Sequence, residues 1–130
     1  MKSKRTQLNE VVNIIEEWRP RLFLNEWRID VEVKNENLSH FHGVGEGDVA
    51  AKTHCDTVYK NATITIYPCF FENGKEYREE MIVHELIHLL VQPAAKIMLE
   101  MRDGLVAYRS EIDECVEELT QRFARIVVGL

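Results

Sequence analysis

The chain has 130 residues, 45% of them hydrophobic and 29% charged, which fits one folded domain with its own core and excludes disorder and low-complexity architectures. Sixteen Lys and Arg stand against twenty-two Asp and Glu, a formal net charge of −6. Such a balance is a poor basis for holding phosphate backbones, so nucleic acid is not an expected partner.

Met1, Lys2, Ser3, Lys4 and Arg5 lead into a polar segment, not the apolar stretch of a secretory signal, and no run approaches the roughly 18 consecutive apolar residues of a membrane span. The expectation is a cytoplasmic protein with no membrane partner, whose N-terminal Lys2, Lys4 and Arg5 are solubilising charges. Leu8, Val11, Val12, Ile15 and Trp18 then recur at three- and four-residue steps, one apolar stripe on a helix that Pro20 should end or bend. From Trp27 the period becomes two: Trp27, Ile29, Val31 and Val33 alternate with charged residues, a half-buried strand.

Asn35 to Asp48, with Gly43, Gly45 and Gly47, reads as a loop, and a weaker strand is expected from Val49 to Tyr59. Ala62, Ile64 and Ile66 form a third strand that Pro68 stops. After a turn at Asn73 and Gly74 a helix is expected from about Tyr77 to Val91, closed by Pro93, with a shorter helical piece from Ala94 to Met101. Asp103 and Gly104 interrupt before a last stripe of Ile112, Cys115, Val116, Leu119, Phe123, Ile126 and Val127. This order predicts one α+β domain over residues 1–130, a small antiparallel or mixed sheet with helices packed on it. Cys55, Cys69 and Cys115 lack any C-x-x-C pairing and read as free buried thiols.

The chemistry concentrates in His84-Glu85-Leu86-Ile87-His88. On a helix, imidazoles four positions apart lie one above the other, so His84 and His88 can reach one metal ion. Zinc suits neutral imidazole and tolerates an open position for water. Glu85, directly after the first ligand, is then placed as general base toward a water that the metal acidifies. Ile82, Val83, Leu86, Ile87, Leu89, Leu90 and Val91 make the helix apolar almost all round, as expected of a buried helix that carries its polar residues for a reason.

A third protein ligand is expected from the last helix. With the apolar stripe centred near Leu119 and Phe123, Asp113, Glu117, Thr120 and Ala124 form one flank, where small Thr120 and Ala124 allow close approach. Glu117 is the first candidate, ahead of Asp113, Glu114 and Glu118.

The segment from Ile82 to Leu90 together with the acidic final helix resembles the gluzincin group of zinc metallopeptidases, whose ligands are the two histidines of H-E-x-x-H and a downstream glutamate. From Trp27-Arg28-Ile29 onward the chain is similar to small phage-type metallopeptidases and, more distantly, to ImmA/IrrE-type proteases, with their final-helix pattern E-x-x-A-N-x-F-A. Glu117, Thr120, Gln121, Phe123 and Ala124 match that pattern with Thr for Ala and Gln for Asn. The resemblance implies a minimal zincin-like domain with Glu117 as ligand and Gln121 beside it. A shift of one turn would make Asp113 the ligand with Glu117 behind it.

It further implies a strand beside the active-site helix that binds an extended peptide along its edge, for which Ala62 to Tyr67 is the candidate. His40, His42 and His54, and the possible oxyanion donors Tyr59, Tyr67 and Tyr108, more simply serve the loop and the packing. The leading expectation is a zinc metallopeptidase acting on a protein or peptide, with zinc on His84, His88 and Glu117 and with Glu85 as base. The alternative is a zinc-stabilised, non-catalytic protein-binding module.

Overall fold

Ser3 opens the first helix, α1 (Lys4–Arg21), its Oγ accepting a hydrogen bond from the Thr6 backbone N–H at 3.2 Å. A computed structural model describes residues 3–39, 48–104 and 109–129. The apolar stripe of α1 faces inward as its spacing requires: Val11 and Ile15 are buried, and Leu8, Ile14 and Trp18 pack beside them. Pro20 sits in the last turn, and the chain then inserts Leu22 and Leu24 into the core on either side of Phe23, whose φ is +56°.

Five strands follow: β1 (Arg28–Val33), β2 (Leu38–Ser39), β3 (Asp48–Val49), β4 (Ala51–Asp56) and β5 (Asn61–Ile66). β2 and β3 form a short antiparallel ribbon at the two ends of the glycine-containing segment. The main sheet is three-stranded and mixed, ordered β1-β5-β4, with β1 parallel and β4 antiparallel to β5. Register sorts its faces. Val31, Ile64 and Thr53 share one row across the sheet, as do Val33, Ile66 and Ala51, while Asp30, Thr63 and His54 share a row of the other parity.

This order corrects the expectation that Ala62 to Tyr67 offers a peptide-binding edge. β5 is the central strand, both of its backbone edges are paired, and Thr65 and Tyr67 are buried. Among the described residues β1 and β4 are the two edges of this sheet, and it is β4 that lies against the next helix.

A 3₁₀ turn (Pro68–Glu72) leads into α2 (Lys75–Arg102), a continuous helix of 28 residues. Pro93 therefore does not close it, and the expected separate piece from Ala94 is its continuation. Proline removes one N–H and crowds the carbonyl four residues back, but Ala94, Ala95, Lys96, Met98 and Leu99 beyond it are strong helix formers. By length and composition α2 could cross a membrane; here its Ile82, Leu86, Leu89 and Leu90 are buried in the core beneath the sheet. Trp18 Nε1 donates to Glu79 Oε1 at 2.8 Å and ties α2 to α1.

α3 (Arg109–Gly129) packs on α2 through a stripe turned from the expected one. Cys115 is buried and Ile112, Leu119, Arg122 and Ile126 are half-buried, whereas Val116 is 55% and Phe123 42% exposed. Arg122 takes the inward place because its guanidinium has partners there: Nη2 lies 3.0 Å from Glu26 Oε1 on the turn after α1 and 3.2 Å from Glu118 Oε1. A stripe read from hydropathy ranks Phe123 above an arginine and misses those partners. Of the three cysteines, Cys115 is buried as expected, while Cys55 and Cys69 are half-buried.

Candidate metal centre

The H-E-x-x-H residues occupy the middle of α2, on the side that meets β4. The helix is not buried all round: Leu86, Leu89 and Leu90 face the core, Val83, Ile87 and Val91 are half-buried, and both histidines are exposed. The cost of burying a polar group therefore falls on Glu85, which is 6% exposed, and not on the imidazoles. The ring of His84 stands edge-on to that of His88, centroids 4.9 Å apart and planes at 84°.

Glu85 is satisfied from the sheet. Thr53 Oγ1 donates to its Oε2 at 2.8 Å, and the same hydroxyl lies 3.4 Å from the Glu85 carbonyl oxygen. Thr53 can do this because the β4 register gives it the core-facing row of Val31 and Ile64, opposite the helix. A threonine at an inward-facing position was the one sequence signal for this contact, and it is visible only once the register is known.

One ligand atom from each of His84, Glu85 and His88 lies within 4.8 Å of the others, and among the described residues this is the group of His, Cys, Asp and Glu side chains so placed. Two nitrogens bound to one tetrahedral zinc at about 2.0–2.1 Å stand roughly 3.4 Å apart, so small side-chain rotations bring the imidazoles to a shared ion. Two imidazoles four residues apart on one helix are donors that fit zinc chemistry.

The group lies between two clefts that run along β4 and α2. One, of about 390 Å³, is lined by Val49, Ala50, Tyr77, Glu80, Met81 and His84. The other, of about 430 Å³, is lined by Lys52, Thr53, His54, Cys55, His88 and Gln92. Ala51 and Glu85 border both. Burial pushes the Cys55 thiol up, with Asp56 adding to the effect.

Glu117 is on α3, exposed, and outside the His84–Glu85–His88 group, as are Asp113, Glu114 and Glu118. The Glu118 carboxylate instead pairs with Arg122. His54 lines the second cleft, Tyr59 is 76% exposed on the turn before β5, and Tyr67 is buried just after β5. His40, His42 and Tyr108 lie outside the described residues. Sequence reasoning passed over Thr53, Tyr77 and Met81, since hydrophobic periodicity does not distinguish a cleft-lining residue from a packing one. Compared with family models, curated proteins and solved structures, the chain matches none.

Proposed function

We propose that this protein is a zinc-dependent metallopeptidase with a zincin-like domain. The observation that carries the reading is the convergence of His84, Glu85 and His88 beside β4, which among the described residues is an edge strand of the main sheet. His84 and His88 hold the metal, and Glu117 is our candidate for a third protein ligand, on the pattern of the final helix. Zinc, when bound, supplies a Lewis acid that polarises a carbonyl and acidifies water.

Glu85 accepts the proton of the attacking water and returns it to the leaving amine. Its place at the junction of the two clefts gives it access to a bond lying across that junction. The outer backbone N–H and C=O groups of β4, an edge strand among the described residues, align an extended peptide by adding it to the sheet. In this reading β4 takes the role first expected of Ala62 to Tyr67.

Elemental analysis of protein purified without added metal, followed by hydrolysis of a mixed peptide pool, tests the proposal. About one zinc per chain is expected, lost in His84→Ala and His88→Ala. Glu85→Gln should keep the zinc and lose peptide cleavage by at least about 100-fold. Full turnover in Glu85→Gln would overturn the catalytic assignment, and metal-free, unaffected protein would overturn the zinc.

A further inference from the structure

We infer that the Thr53 hydroxyl decides which role Glu85 takes, holding its carboxylate back from the metal so that it acts as a base and not as a ligand. The inference rests on the zinc reading above and goes beyond it, because that reading names the role of Glu85 without saying what enforces it. Glu85 offers a carboxylate oxygen within 4.8 Å of a ligand nitrogen on each histidine, a spacing that would let it ligate as readily as they do. A carboxylate this close to a divalent cation is a competent ligand, and the hydrogen bond its oxygen accepts bears on which role it takes.

Thr53 is positioned to be that hold. Its Oγ1 sits 2.8 Å from Glu85 Oε2, it comes from the sheet and not from α2, and its own place is fixed by pairing with Ile64. The anchor therefore does not move with the helix that carries the histidines. Glu85 is 6% exposed, so bulk water cannot replace the lost donor at little cost. Without the hydroxyl, the nearest compensation for the buried carboxylate is the metal itself.

The test measures zinc affinity on the full-length chain by competition with a chromophoric chelator, and coordination by the visible absorption of the cobalt-substituted protein. Thr53→Val should bind zinc roughly tenfold tighter, the scale on which partners of ligands tune a metal site. It should also show weaker cobalt bands, as expected for an added ligand, and slower cleavage of the peptide pool. Thr53→Ser should behave as the parent. Adding Glu85→Gln to Thr53→Val should return zinc affinity to that of Glu85→Gln alone.

Unchanged or weaker zinc binding in Thr53→Val with a native circular dichroism spectrum would overturn the inference and leave the metallopeptidase reading standing. Should that variant not fold, Thr53→Ala carries the same expectation. Tenfold weaker zinc in Glu85→Gln would also overturn it, since Glu85 would then already be a ligand. A parent protein that binds no zinc overturns the metal reading and this inference together.

Discussion

Arg78 of α2 and Glu10 of α1 meet through two nitrogens on one oxygen: Nε donates to Oε1 at 2.7 Å and Nη2 lies 2.6 Å from the same atom. Nη1 of the same guanidinium donates to the Asn73 carbonyl oxygen at 2.6 Å, and the paired side chains are only 16% and 20% exposed. The contact ties α2 to α1 at Arg78, a little under two turns before His84. Removing the arginine leaves a carboxylate mostly out of water without its cation. Arg78→Ala should destabilise the fold by roughly 2–4 kcal/mol in urea denaturation. A loss below about 1 kcal/mol would place the pair with ordinary surface ion pairs.

The orientation of α3 is checked by a pair of truncations. Leu86, fully buried between Glu85 and the core, should cost about 2–5 kcal/mol on change to Ala. Phe123, at 42% exposure, should cost less than about 1 kcal/mol. The apolar stripe read for α3 from hydropathy alone would make the Phe123 change as severe as the Leu86 one. Comparable losses would mean that Phe123, and not Arg122, is the residue α3 turns inward.

The elements themselves were legible because each repeats one period long enough to be read. Val11 and Ile15 on α1 and Ala62, Ile64 and Ile66 on β5 are buried where alternation puts them. What could not be read was which strands are neighbours. Spacing within Ala62–Ile66 is the same whether the strand is central or at an edge, and only its pairing with both β1 and β4 decides. Pro93 misled in a related way, since a proline in isolation argues for a stop, yet α2 runs through it. At the site, His84, Glu85 and His88 were legible because their relation is local to one helix. Thr53 was not, because its relation to Glu85 depends on strand register and on the docking of α2.

Acid should loosen the anchor of α3 to the turn after α1. The hydrogen bond from Lys60, and then Arg122, hold the Glu26 carboxyl below its ordinary value of 4.5 in the folded state. A carboxyl lowered on folding contributes stability that is present above the unfolded value and is lost as pH falls through the folded one. The group is largely solvated, so the contribution is below about 1 kcal/mol. The stability gap between the parent and Glu26→Gln, measured by urea denaturation at about pH 6 and again at about pH 3, should shrink. A gap that widens in acid would reverse the sign of this account.

The third metal ligand can be assigned by substitutions that separate the acids of α3. Glu118 is engaged by Arg122 at 3.2 Å, so Glu118→Gln should leave zinc affinity unchanged within about twofold. Glu117 makes the contrasting case: if it ligates, Glu117→Gln removes a direct bond and should weaken zinc by more than the roughly 10–100-fold typical of outer partners. Because Glu117 is exposed and outside the histidine group, its ligation would newly order its part of α3 as the metal binds. Zinc should then slow hydrogen exchange along α3 in the parent chain and fail to do so in Glu117→Gln. If Asp113→Asn alone abolished both effects, the ligand would lie one turn earlier on the helix. If neither substitution mattered, the two imidazoles and water would make up the site, and α3 would be a packing element only.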